Sequence, residues 1–169
     1  MIVKLENLAE IRQNHKDEKI VLTGGTFDML HVGHKRYLEA VKALGDIVVV
    51  MLSGDARTRA RKGLKRPIIP EHDRAEMLDA LKLVDYVFID PATSPPGTVD
   101  PVHAQVVELL QPDTYATDGP DMRFWDIMDE SQLVVIQQER SDGYPKVAGR
   151  ENASTSAIIK HILDQERGV

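Results

Sequence analysis

Residues 20–34 read IVLTGGTFDMLHVGH, and the order of residue types along that stretch sets the architecture. Ile20 to Thr23 is an apolar run halted by Gly24 and Gly25, the pattern of a buried strand. Beyond it, Tyr37, Leu38, Val41 and Leu44 fall on one face of a helix over 34–44, with Gly45 placed to end it. A strand, a glycine turn and a helix open an α/β unit.

The same alternation continues outward. Asp46 to Ser53 (DIVVVMLS) is apolar without alternation, as expected of a parallel strand covered on both faces. A helix is predicted over 70–82, with Met77, Leu78 and Leu81 inward and Pro70 near its first turn. Strands follow at 85–89, 113–116 and 132–137, with a helix through Val102, Val106 and Leu109 between the first two. A last helix is predicted over 154–166, burying Ile158, Ile159, Ile162 and Leu163. Before the first strand, Leu5, Leu8 and Ile11 mark a short lead-in helix within residues 1–18. The expected fold is one Rossmann-like three-layer α/β domain over 1–169, with a mostly parallel five-stranded sheet. Ligands of such sheets sit beyond the carboxyl ends of the strands, where connections diverge to opposite faces.

Composition bounds the chemistry. At 169 residues, 42% hydrophobic and 28% charged, the chain has the makeup of a single globular domain rather than a disordered one. It has no cysteine, which excludes a thiolate nucleophile, a disulfide framework and cysteine-ligated metal. The longest apolar run, Ile47 to Leu52, is too short to span a bilayer, and residues 1–20 lack a signal-peptide apolar core, so a cytoplasmic protein is expected. The net charge of −6 argues against general nucleic-acid binding.

That average hides a patch. Residues 57–66 read RTRARKGLKR and hold six of the 21 basic residues with no acid, leaving fifteen positive against 27 negative, or −12, elsewhere. The reading is a basic loop immediately after the second strand, at the carboxyl edge of the sheet where ligands of such folds sit.

The turn at 24–34 is neither a P-loop nor a GxGxxG fingerprint. It offers two glycines that admit close backbone approach, then His31-Val32-Gly33-His34 at a helix N-terminus, a place suited to anions. A zinc site on His31 and His34 lacks a third ligand, because His15, His72, His103 and His161 stand alone in the sequence.

GTFDMLHVGH resembles the signature of the cytidylyltransferase-like nucleotidyltransferases, which join a nucleoside monophosphate to a phosphorylated small molecule. RKGLKRPIIPEHDRAEMLDALKLVDYVFI is similar to the matching stretch of bacterial heptose-phosphate adenylyltransferases, and somewhat less to glycerol-phosphate and ethanolamine-phosphate cytidylyltransferases. The likeness runs from Lys19 to Leu163. It implies transfer from a nucleoside triphosphate, ATP or CTP, with Mg²⁺ as cofactor bridging phosphate oxygens and no confident protein ligand for the metal. It implies catalytic roles for His31, His34 and Lys62, and nucleotide binding by Gly24, Gly25, Thr26, Phe27 and Gly33. Ser154, Thr155 and Ser156 match its Gly-x-Ser-Thr-Thr motif, with Asn152 in place of the glycine; the same hydroxyls would also serve as helix caps. Arg66 and Arg74 match basic positions of the family, Arg74 being equally fit for a structural ion pair.

Acceptor contacts are assigned to Asp28, Arg66, Asp118, Asp121 and Trp125. The last three lie where this chain departs from the family, with Thr117-Asp118-Gly119-Pro120-Asp121 standing in place of Lys-Gly-Gly-Asp. The expected partners are the triphosphate and a small phosphorylated sugar or alcohol, with no membrane and no nucleic acid. No pattern sets the oligomeric state, though homodimers are common among proteins resembling this one. An FAD-forming adenylyltransferase, a nucleotide-binding regulator without catalysis and an RNA-binding protein on the same fold are the competing readings.

Overall fold

Strand β1, Ile20–Gly25, is central to the sheet, and every strand pairing along it and beyond it is parallel. The computed structural model describes residues 1–92, 100–118, 124, 127–136, 158–159 and 162–164. In chain order, α1 (Leu8–Asn14) precedes β1 and is led in by a 3-10 turn at Leu5–Asn7; α2 (Val32–Lys42) and β2 (Ile47–Ser53) follow. Next come α3 (Asp55–Lys62), α4 (Glu71–Asp79), β3 (Tyr86–Asp90), α5 (Pro101–Leu110), β4 (Thr114–Thr117) and β5 (Leu133–Val135). The sheet order is β3-β2-β1-β4-β5.

The strands read as unbroken apolar runs because both faces are covered. Along β1 and β2, Ile20, Leu22, Val49 and Met51 join one buried cluster with Leu8 and Ile11 of α1 and Val106 and Leu110 of α5. Val21, Val48, Val50 and Leu52 join the other, with Leu38 and Val41 of α2 and Ala75 and Leu78 of α4. Each such side chain, fully withdrawn from water, contributes about 1.5–3 kcal/mol. The chain thus steps outward from β1 to β2 and β3 with helices on one face. It then returns through α5 on the other face to β4, on β1's far side. That reversal opens a crevice at the carboxyl ends of β1 and β4.

Several details differ from the sequence reading. Met77 is exposed, because the inward stripe of α4 is Arg74, Ala75 and Leu78. Ile162 and Leu163 are nearly half exposed, and only parts of the predicted 154–166 helix fall within the described residues. Residues 1–3 are not helical: Val87 of β3 donates its N–H to Met1 and accepts from Val3, extending the sheet edge. No described helix is long and apolar enough to cross a membrane.

Candidate active site

β1 delivers Gly25 to the mouth of the crevice, and the backbone there has no room for a side chain. A Cβ on Gly25 would lie 2.6 Å from Cε2 of Phe27, whose ring packs flat against that bare backbone. Phe27 (φ 47°) and Met29 (φ 50°) both occupy the left-handed region, which non-glycine residues rarely adopt. Such residues persist only where their surroundings hold them. Here Phe27 is buried with its ring centroid 5.3 Å from that of His34, and Asp28 between the two is tied down by its carboxylate. One turn further along α2, the Tyr37 hydroxyl meets Thr23 Oγ1 at 2.6 Å, and both reach the Ala116 carbonyl, pinning α2 to β1 and β4 at the crevice floor.

His31 caps α2. Its Nδ1 accepts from the Gly33 N–H at 3.1 Å, and Nδ1 of His34 accepts from the His31 N–H at 3.4 Å. The two rings stack with centroids 3.9 Å apart. With both Nδ1 atoms accepting, each neutral imidazole carries its proton on Nε2, so the pair presents two N–H donors at a helix N-terminus. Burial lowers the pKa of His31. Burial, then the charges of His31 and Lys62, push His34 down to about 3 against the opposing pull of Asp28. The donors are neutral at physiological pH.

A stability consequence follows from the sign of that shift. Unfolded, His34 takes up its proton near the ordinary value of 6.5, whereas folded it does so only near 3. Between those values the unfolded state binds more protons, so stability falls as pH drops through that window. At pH 5 the loss at this site is about 2 kcal/mol. The urea midpoint of the wild type is therefore expected to fall further between pH 7 and pH 5 than that of His34→Gln; equal falls would contradict the assignment.

The basic stretch 57–66 is not a loop throughout. Arg57, Arg59, Arg61 and Lys62 lie on α3, and Gly63, at φ 92°, ends that helix. Arg57 is buried, with Nε 3.8 Å from Asp90 Oδ2, so its charge is spent inside the protein. Arg61 Nη2 donates to Thr26 Oγ1 at 2.8 Å. Lys62, at the helix end, has its pKa lowered by partial burial and by Arg61 and Arg66, with Asp28 and Asp118 opposing. Asp118, exposed just past β4, is among the charges that act on Lys62. Arg66 Nε lies 3.1 Å from Asp28 Oδ2. Asp28 is buried and accepts from the N–H groups of Ile68 and Ile69.

Arg74 is fully buried and holds four segments at once. Nε donates to Ile69 O at 2.8 Å, Nη1 to Thr26 O and Ser53 O, and Nη2 to Asp55 Oδ1 at 2.7 Å. Of the two roles open to it from sequence, the structural one is what its contacts describe. A helical stripe with an arginine in its buried phase is the signal that could have found it. A second buried polar group lies at the end of β3. Asp90 accepts from Ala92 N and sits 3.3 Å from His103 Nε2; burial alone would raise its pKa, but His103, the Ala92 N–H and Arg57 together lower it.

The structure brings together Gly24, Gly25, Thr26, Phe27, Asp28, His31, Gly33, His34, Lys62, Arg66 and Asp118 around one strand–helix junction. Asp121, Trp125, Ser154, Thr155 and Ser156 lie outside the described residues. Residues 22–161 match the family model described as cytidylyltransferase-like. The chain belongs to the cytidylyltransferase-like family of nucleotidyltransferases. Within it, the chain is 38% identical over 161 residues to the bifunctional protein HldE of Helicobacter pylori strain G27, covering 95% of this chain and 31% of that one. It is 38% identical over 165 residues to the protein of the same name from Citrifermentans bemidjiense, again with 95% and 31% covered. The chain thus spans about a third of the length of the curated relatives it matches. A solved structure described as a lipopolysaccharide core biosynthesis protein from Thermoplasma volcanium GSS1 is 32% identical, with a TM-score of 0.48 over 59% of this chain and 73% of that one.

Proposed function

We propose that this member of the family is an adenylyltransferase, moving AMP from ATP to a phosphorylated sugar or related alcohol and releasing pyrophosphate. The observation that carries the reading is the stacked His31–His34 pair, with both Nδ1 atoms occupied and both Nε2–H groups left as neutral donors at the N-terminus of α2. The choice of ATP and of a sugar phosphate rests on the likeness of residues 61–89 to heptose-phosphate adenylyltransferases.

An acceptor phosphate has its second pKa near ~6, so at neutral pH it is already an anionic nucleophile and needs no general base. One of its oxygens bonds to the α-phosphorus as the bond from that phosphorus to the α–β bridging oxygen breaks, and the electron pair leaves with pyrophosphate. The protein's work is alignment and neutralisation of charge that builds on the leaving group. His31 and His34 donate to the phosphate oxygens, and Gly33 between them lets the backbone approach. Lys62 lies over the β- and γ-phosphates, while Gly24, Gly25, Thr26 and Phe27 shape the floor. By the family resemblance Ser154, Thr155 and Ser156 are given the distal phosphates, and Arg66, Asp118, Asp121 and Trp125 are the residues proposed to contact the acceptor. Mg²⁺ bound to the triphosphate would supply further neutralisation of phosphate charge. No three His, Asp or Glu side chains converge among the described residues, so no protein step is assigned to it.

The test is pyrophosphate release from each of four nucleoside triphosphates crossed with phosphorylated sugars, polyols, amino alcohols and riboflavin phosphate. Release with ATP and a sugar phosphate is expected. Release with CTP would move the base assignment, release with riboflavin phosphate the acceptor, and none with any pair would leave a nucleotide-binding regulator as the better reading.

A further inference from the structure

Residues 62–67 form an arch between two footings that lie two residues apart. At one end, Arg61 Nη2 donates to Thr26 Oγ1. At the other, both carboxylate oxygens of Asp28 accept from Ile68 N, at 3.1 and 3.0 Å, and Oδ1 also accepts from Ile69 N at 3.0 Å. Between them, Arg66 leans on the same carboxylate and Leu64 stands 89% exposed at the crown. Gly63 at φ 92°, with nothing within 4 Å of where its Cβ would be, makes the turn off α3. The arch carries Lys62, Lys65 and Arg66, and its footings belong to the loop that leads into His31.

We propose that Asp28 is a positioning residue: its carboxylate fixes the basic arch at one height over the histidine pair, and so sets where Lys62 meets the triphosphate. The proposal rests on the phosphate-binding reading of that crevice. Two physical points favour it over direct contact with an acceptor. Asp28 is 2% exposed, and its oxygens are already engaged by two backbone N–H groups and a guanidinium. Turned toward Arg66 and two amides, the carboxylate also offsets the mutual repulsion of the basic side chains that the arch carries. Asp28 sits between two left-handed residues, Phe27 and Met29.

Limited trypsinolysis reads the arch without any substrate. Cleavage after Lys62 and Lys65 reports its opening, and Arg66 is protected by the proline that follows it. Asp28→Asn keeps the side chain's size and removes its charge. Cleavage at Lys62 and Lys65 is expected to accelerate about ten-fold, the change that follows from losing one charge-assisted hydrogen bond. Cleavage after exposed Lys4 and Lys16 should not change. In turnover, the variant should raise the KM for ATP and lower kcat, with the acceptor KM at saturating ATP unchanged. Ile69→Pro removes one donor and leaves the carboxylate intact; it should also speed cleavage at the arch, and it decides the matter if Asp28→Asn fails to fold. Unchanged cleavage in the variant that folds, or an effect confined to the acceptor KM, would overturn the proposal. Absence of transfer with any substrate pair would bear on the function alone, since the cleavage pattern does not depend on it.

Discussion

His34→Ala is expected to lower turnover by about 10²–10³-fold, the loss typical of one well-placed donor to a developing charge. The geometry says why the loss falls on kcat more than on binding. In the proposed reaction the neutral His34 contributes one Nε2–H, while attraction for the triphosphate would come from Lys62 and the arginines around it. Charge grows on the phosphate oxygens as the leaving group departs, so a fixed neutral donor is worth most at that moment. The variant also loses the acceptor of the His31 N–H and the ring stacked on His31, a capping loss of about 1 kcal/mol. Its circular dichroism should therefore match the wild type with a slightly lower Tm. Near-normal turnover in a folded His34→Ala protein would falsify the assignment.

Arg74→Met is expected to cost about 3–5 kcal/mol of stability, as removal of one member of a buried ion pair does. The Thr26 and Ser53 carbonyls would lose their donor in the interior, and the Ile69 carbonyl and the Asp55 carboxylate would lose theirs at its edge. Methionine fills much of the space, so the deficit lies in desolvated acceptors and not in a cavity. Arg74→Lys should recover little, because a single ammonium has neither the planar fork nor the reach to serve four acceptors. Equilibrium urea unfolding measures both; a deficit under 1 kcal/mol for Arg74→Met would mean that the four segments are held by other contacts. Because two of those carbonyls belong to the loops that position His31 and Lys62, Asp55→Asn should show a milder version of the same loss.

Much of the fold was legible in the sequence because parallel strands buried on both faces are mostly apolar, and β1, β2 and β3 accordingly stand out as apolar runs with polar residues only near their carboxyl ends. Helices with an apolar inward stripe, such as α2, were equally visible. α3 was not, since the residues it buries are Arg57 and Thr58 and its pattern is that of a solvated charge run. The phase of α4 was misread for the same reason: Arg74 occupies a place in the stripe where periodicity looks for leucine, so Met77 was moved inward in its stead. At the site, His31 and His34 stood out by type and by their place at a helix start, whereas Lys62 was singled out only by the family resemblance of the basic stretch. The partners of Asp28 were not readable, because they are backbone N–H groups 40 and 41 positions away, and no side-chain pattern records a main-chain donor. The Asp90–His103–Arg57 cluster was hidden likewise, its members separated along the chain and each ordinary alone.

The neutrality of the stacked histidines also bears on how the site empties. A pocket that met a triphosphate with two imidazolium ions as well as Lys62, Arg61 and Arg66 would grip pyrophosphate nearly as hard as it gripped the nucleotide, and turnover would wait on departure of the by-product. In the proposed reaction the pair supplies hydrogen bonds without net charge and would leave electrostatic retention to the arch and to Arg61 at its footing. Letting go of the by-product would then be a matter of a few side chains on one short segment, with no rearrangement of the sheet.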